Sequence, residues 1–422
     1  MSTTLTVVGG APLVGTVKAA GAKNSALPLL AACILMDGTF ELSNVPYLHD
    51  VATMIRMLNA LGLRAEYSAD KVKITNNKKV RHIAPYELIT AMRASFFVAG
   101  PILAKTGYAK VPLPGGCSIG SRPVDLHIKG FRALGAQVNI EHGFVDIKAS
   151  KLKGTKIYLD FPSVGATENV MMAAALAEGT SVIENAAMEP EITDLGDFLN
   201  KAGAKITGHG TPNIVVEGVP SLTGANHEVI PDRVEAGTLM IAGGITKGDV
   251  LVTHVSIPDL EPLIEKLKEA GLKVEVGDRQ VRVAYQGSLN AVNFETLPFP
   301  GFPTDMQAQM MALLTVAKGT SVVKEGIFEN RFMHAPELMR MGASIKLDMQ
   351  YAFVTGVEKL SGAEVKITDL RAGAALILAG LAADGETKVH GLNHLRRGYD
   401  RLPEKLQSLG ATIVEHHTQG RG

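Results

Sequence analysis

Tryptophan is absent from this 422-residue chain, cysteine occurs twice, and aromatic residues make up only 5% of it. Without stacking side chains interleaved among basic ones there is no platform for single-stranded nucleic acid. Two cysteines, Cys33 and Cys117, are too few for a disulfide framework and fit a reducing cytoplasm. An excess of one charge is lacking too. The 42 Lys and Arg balance the 42 Asp and Glu, so no net field draws the chain to nucleic acid or to a membrane. The strongest apolar runs, 25–36 and 372–383, stop well short of the ~18 residues of a membrane span and read as buried helices. No basic segment precedes an apolar stretch at the N-terminus, so no signal peptide is expected. The twelve histidines form no pair at metal-ligand spacing, no Gly-Lys-Ser/Thr closes a phosphate loop, and no dinucleotide glycine pattern opens a helix. Neither a metal nor a cofactor is expected.

What is present is globular: 46% hydrophobic and 20% charged residues, in a chain long enough for two or three domains. It is also repetitive. A helix-ending glycine recurs at Gly62, Gly135, Gly203, Gly271, Gly342 and Gly410, at intervals of 73, 68, 68, 71 and 68 residues. Each follows an amphipathic stretch and precedes a strand, where a left-handed residue is expected. A second marker lies 23 to 28 residues earlier, at Gly38, Gly107, Gly179, Gly248, Gly319 and Gly385, closing an alanine-rich helix before another strand. Six α/β units follow, read as helix, strand, helix and one or two strands. They suggest two domains of three, with a linker expected around 220–226. The strand before Gly21 is free to complete the second domain.

Repeats can be compared with one another. Counting back 14 or 15 residues from the second marker finds the start of each alanine-rich helix, at Lys23, Arg93, Gly165, Arg233, Asp305 and Arg371. Free N–H groups at a helix start attract anions, and a cation there strengthens the preference. Asp305 stands where other copies carry a cation, which makes it the candidate base. The second helices add Arg122, Arg331, Arg396 and Arg397, and converging guanidinium groups suit a phosphate or carboxylate. Methionines Met306, Met310 and Met311 and the thiol of Cys33 read as core. The loop 114–123 carries Cys117 between glycine and serine, five residues before Arg122. A nearby cation favours thiolate, so this cysteine reads as functional.

Several segments resemble the enolpyruvyl transferases: Lys23-Asn24 within 21–28, Met92-Arg93-Ala94-Ser95, the loop 114–117 with Arg122-Pro123-Val124-Asp125-Leu126-His127, 302–309, 328–334, and Arg397-Gly398-Tyr399. The resemblance runs over essentially the whole chain. Its cysteine loop sets it apart from the shikimate-pathway branch, which makes 5-enolpyruvylshikimate 3-phosphate and is the nearest alternative. A non-enzymatic repeat scaffold is the other. The resemblance implies an α/β (α+β) fold of two domains, each of three βαβαββ repeats around a pseudo-threefold axis. The domains are then 22–229 and 1–21 plus 230–422, with the active site in the cleft between them. It implies a bacterial cytoplasmic enzyme of peptidoglycan synthesis that moves the enolpyruvyl group of phosphoenolpyruvate to the 3′-hydroxyl of UDP-N-acetylglucosamine. Lys23, Asn24, Arg122 and Arg397 would grip phosphoenolpyruvate. Arg93, Arg122, Pro123, Val124, Asp125, Leu126, Ser163, Val164, Gly165, Asp305 and Ile327 would hold the nucleotide sugar, with Arg331 and Arg371 in support. Cys117 would donate the proton and be alkylated by fosfomycin, and Asp305 would accept the hydroxyl proton. The chain departs from many relatives at Phe161-Pro162, where a lysine-valine pair is usual, so the uridine side loses a lysine contact.

Overall fold

Each repeat pairs one helix that is apolar nearly all round with one that is amphipathic, and only the first kind can be enclosed completely. The computed structural model describes residues 2–113 and 124–418. The chain divides into two units, one of residues 21–113 and 124–230, the other of residues 2–20 and 231–418. In the first, α1 (Lys23–Ala32), α3 (Ala99–Thr106) and α5 (Val164–Ala174) are the enclosed helices. The amphipathic ones are α2 (His49–Leu61), α4 (Asp125–Ala133) and α6 (Pro190–Lys201). In the second unit α7 (Arg233–Ile245), α9 (Gln307–Leu314) and α11 (Leu370–Ala382) are enclosed and pack on one another. There α8 (Glu261–Glu269), α10 (Ala335–Arg340) and α12 (Leu402–Ser408) accompany them. Cys33, Met306, Met310 and Met311 are buried in these cores, as the apolar pattern predicts.

Five of the six sheets among the described residues share one strand order, and the sheet of Tyr108–Pro112, Phe144–Lys148 and Gln137–Glu141 has three strands, with a single parallel bridge from Ile83 to Lys110 in place of the first. In the shared order a first strand lies parallel to the second, and the fourth lies between the second and the third. Phe294–Glu295, Thr320–Lys324, Tyr351–Thr355 and Ser344–Asp348 show it with uninterrupted chain order. In three other repeats distant segments complete the pattern. Val14–Lys18 is the parallel first strand beside Asp249–Thr253, and Ser2–Val8 is the inner strand between Glu386–His390 and Thr412–Thr418. Residues 220–226, expected as a linker, instead contribute the strand Leu222–Thr223, parallel to Met36–Asp37, with His227–Glu228 continuing beside Leu42–Ser43. Turn-forming residues hid two short runs whose pairing supplies the order that the local sequence lacks.

All six helix-ending glycines have positive φ, from 90° to 107°. Five of the six second markers do too. Gly248 is the exception: Lys247 takes the positive φ of 56°, and Gly248 is required for another reason. A Cβ there would stand 2.0 Å from the carbonyl oxygen of Leu13, just before the strand Val14–Lys18. The helix starts also fall where the repeat comparison puts them, with two differences. Arg93 opens a 3-10 turn, Arg93–Val98, ahead of α3, and Asp305 sits in the 3-10 turn Thr304–Met306 ahead of α9. Of the arginines expected in second helices, Arg331 lies in the turn before α10, whose first turn is set by a proline, and Arg396 and Arg397 lie in the turn that ends the short helix Leu392–Leu395, ahead of α12.

Candidate functional site

In the unit of residues 21–230, the helix starts bring the expected ligand residues into two groups. Lys23 is the first residue of α1, and its ammonium meets Asp50, near the start of α2, at 2.9 Å, with side chains only 11% and 4% exposed. An ammonium has three donor hydrogens, so an anion arriving at Lys23 can share it with Asp50. Asn24 follows on the same turn. Nothing in the local sequence marks Asp50 as this partner.

The second group comprises the starts of α4 and α5. Val124, Asp125 and Leu126 open α4, and Ser163, Val164 and Gly165 open α5, with the Ser163 hydroxyl accepting from the Ala166 N–H. The two starts are clasped by His127 and Asn169. Asn169 Nδ2 lies 3.0 Å from His127 Nδ1 and donates to the Phe96 carbonyl at 3.0 Å, while its Oδ1 accepts from the Gly100 N–H at 2.7 Å. The Phe96 ring meets the imidazole edge-on at 5.2 Å. Gly165 is needed for the fit: a Cβ there would come within 3.1 Å of the Phe97 ring and 3.3 Å of His127. The Arg93 turn, α4 and α5 are thus one surface, and sequence reading alone missed Asn169, its central hydrogen-bonding residue. Phe161 is 46% exposed beside it. Cys117, Arg122 and Pro123 lie outside the described residues.

The unit of residues 2–20 and 231–418 holds Asp305, Ile327, Arg331, Arg371 and Arg397. Asp305 Oδ1 accepts from Arg331 at 2.8 Å and Oδ2 from Arg371 at 2.8 Å. The carboxylate is a quarter exposed, whereas both arginine side chains are buried. Burial pushes the Asp305 carboxyl up, but Arg371 and Arg331 outweigh it and hold it well below the usual carboxylate range. The Arg371 guanidinium lies over the Tyr399 ring at 5.3 Å, and the Tyr399 hydroxyl is fixed by Gln309 at 2.8 Å and Thr238 at 3.1 Å. Nε and Nη1 of Arg371 are buried and find no acceptor among the described residues. Glu325 ties the cluster to its neighbour. Its carboxylate accepts from the Thr304 hydroxyl at 3.0 Å and from the backbone N–H groups of Ile327 and Phe328, so the turns carrying Asp305 and Ile327 share one anchor. Arg396 is ion-paired with Glu415, and Arg397, the next residue of the same turn, is half-buried.

Chemically, one unit presents a lysine at a helix start and a glycine-backed polar surface. The other presents an ionised carboxylate between two guanidinium groups. Both suit anionic, hydroxyl-bearing ligands.

Residues 7–406 match the family model for EPSP synthase (3-phosphoshikimate 1-carboxyvinyltransferase). The chain is 56% identical over 413 residues to UDP-N-acetylglucosamine 1-carboxyvinyltransferase 1 of Caldanaerobacter subterraneus subsp. tengcongensis, covering 98% of this chain and 99% of that one. It is also 56% identical to UDP-N-acetylglucosamine 1-carboxyvinyltransferase 2 of Carboxydothermus hydrogenoformans, covering 95% and 96%. Among solved structures, the enolpyruvyl transferase NikO from Streptomyces tendae superposes with a TM-score of 0.88 at 26% identity, covering 98% of this chain and 99% of that one. EPSP synthase from Acinetobacter baumannii shares the fold, with a TM-score of 0.78 at 18% identity and 99% and 100% coverage. The chain belongs to the EPSP synthase family and, within it, to the UDP-N-acetylglucosamine 1-carboxyvinyltransferases.

Proposed function

We propose that this chain transfers the enolpyruvyl group of phosphoenolpyruvate to the 3′-hydroxyl of UDP-N-acetylglucosamine with release of phosphate, the first committed step of peptidoglycan synthesis in the bacterial cytoplasm. The observation that carries this reading is the near-full-length 56% identity to relatives named for that transfer. Lys23, Asn24, Arg122 and Arg397 hold phosphoenolpyruvate. Arg93, residues 122–126 and 163–165, and Ile327 hold the nucleotide sugar. Cys117 protonates the methylene carbon while the sugar oxygen bonds to the neighbouring carbon, and Asp305 takes the hydroxyl proton; loss of a proton from the new methyl group then breaks the carbon–oxygen bond to phosphate, releases it and restores the double bond. Asp305 is ready in its charged form, but two guanidinium groups suppress its basicity. Accepting a proton therefore requires that substrate draw at least one arginine away.

Phosphate release from phosphoenolpyruvate tests the reaction. Release should depend on UDP-N-acetylglucosamine and not on shikimate 3-phosphate. The reverse dependence overturns the assignment in favour of the shikimate branch, and no release with either acceptor favours a scaffold.

Cys117 can be tested separately. Cys117→Asp keeps an acid at the position but is a poor nucleophile, so it should retain turnover and resist fosfomycin, while Cys117→Ala loses most activity. Mass spectrometry should place the fosfomycin adduct on Cys117. An adduct on Cys33 contradicts this assignment, because that thiol is fully buried and pushed up by burial.

A further inference from the structure

The first turn of α1 is braced by a residue of another helix. Ser163, Asp232 and Asp369 cap α5, α7 and α11 with side-chain oxygens, whereas Ala22 gives α1 no side-chain cap. A capping oxygen would occupy N–H groups at the turn that carries Lys23 and Asn24. The structure instead braces this turn from the side, through Asp194 of α6.

Asp194 Oδ2 accepts from the Ser25 hydroxyl and from the Ile230 N–H at 3.4 Å, and the Ile230 carbonyl accepts from the Ala22 N–H at 2.7 Å. One buried carboxylate therefore reaches both sides of Lys23–Asn24, Ser25 directly and Ala22 through Ile230. Its other oxygen, Oδ1, lies 2.7 Å from His227 Nε2. His227 Nδ1 faces the Lys201 ammonium at 2.9 Å. An ammonium can only donate, so Nδ1 is the acceptor and the ring proton sits on Nε2, where it donates to Asp194. The Phe198 ring packs on the imidazole at 5.2 Å. Ser25, Asp194 and His227 are all buried, so a lost donor is not replaced by bulk water.

We propose that Asp194 is a positioning residue for phosphoenolpyruvate: it fixes the first turn of α1 through Ser25 and Ile230, and His227 fixes Asp194. The proposal rests on the reading that Lys23 and Asn24 hold that substrate. Asparagine at 194 turns its NH2 either towards Ser25 and Ile230, where the Ile230 N–H loses its acceptor, or towards His227, where two N–H groups oppose each other.

Steady-state kinetics on the full-length enzyme, with each substrate varied in turn, tests the proposal. Asp194→Asn should raise KM for phosphoenolpyruvate on the order of tenfold, because small displacements of positioning groups are costly. KM for UDP-N-acetylglucosamine should stay within about twofold. Ser25→Ala should act in the same direction. His227→Gln keeps an N–H donor near Nε2 and should restore most of what His227→Leu loses. If Asp194→Asn fails to fold by circular dichroism, Ser25→Ala and the His227 pair decide. An unchanged KM for phosphoenolpyruvate in folded Asp194→Asn and Ser25→Ala overturns the proposal. So does an equal rise for both substrates, or no difference between the two His227 variants. Lys23→Ala is the control. If it also leaves this KM unchanged, the assignment of phosphoenolpyruvate to this turn fails; if it alone raises KM, only the role of Asp194 fails.

Discussion

Each oxygen of Asp305 accepts from a different arginine, and both arginines are buried. Such a carboxylate serves charge balance before any chemistry. Its folded pKa is depressed, so the stability it contributes is present above the ordinary carboxylate range and is lost only as the pH falls through the lower folded value. Asp305→Asn keeps the shape but leaves two cations facing an amide. Turnover should fall by about 10²–10⁴ through loss of the base. Urea denaturation should show a destabilisation of about 2–3 kcal/mol, reduced from that of a fully buried pair by partial exposure. Wild-type turnover in this variant rules out proton acceptance by Asp305. Comparison of the repeats singles out Asp305 as the anion among cations, and it finds Arg331 and Arg371 as candidates. That the three form one cluster was not legible, because the residues come from three separate turns of two repeats.

Among elements, the helix ends divide glycines by what they do. Gly410 ends α12 with φ +104° and has nothing within 4 Å of an added Cβ, so Gly410→Ala meets backbone strain alone, about 1–2 kcal/mol. Gly248→Ala drives a methyl group into the backbone at Leu13 and parts the strands Val14–Lys18 and Asp249–Thr253, so its cost should exceed ~3 kcal/mol. Chemical denaturation of the two variants compares them directly, and equal costs contradict the close-approach account. The turn before α10 holds a second test. His334 is fully buried there, and burial, with Arg331 adding and Asp369 opposing, lowers its pKa to about 4. A depressed histidine binds its proton more readily when unfolded. The stability it permits is present above the unfolded pKa of ~6.5 and declines as the pH falls towards 4, by up to about 3 kcal/mol. Melting temperature should fall across this window in the wild type and fall less in His334→Leu. Parallel pH profiles for the two proteins contradict it.

For the molecule as a whole, the order of strands matters more than the order of residues. Ser2–Val8 is paired on both sides, and Leu5 and Val7 are buried beneath the enclosed helices. Removing residues 1–8 leaves two unpaired edges and an open core in the unit completed by 231–418. Its cooperative melting should be lost, whereas removing the edge strand Thr412–Thr418 should cost less. A truncated chain that melts like the full one contradicts this account of the sheet.

The sequence by itself determined the six-fold repetition, the left-handed helix ends, the burial of the alanine-rich helices and the family. Each of these rests on local chemistry: a glycine at positive φ, apolar residues on every face of a helix, or a run of motif residues. Only the tertiary structure decided which strand closes each sheet, that 220–228 pairs with Met36–Ser43 rather than linking, and which carboxylates face Lys23, Arg331, Arg371 and Arg396. The physical reason is range. Backbone pairing and ion pairing depend on which distant segments the repeats place a few ångströms apart, and neither composition nor periodicity within a segment carries that information.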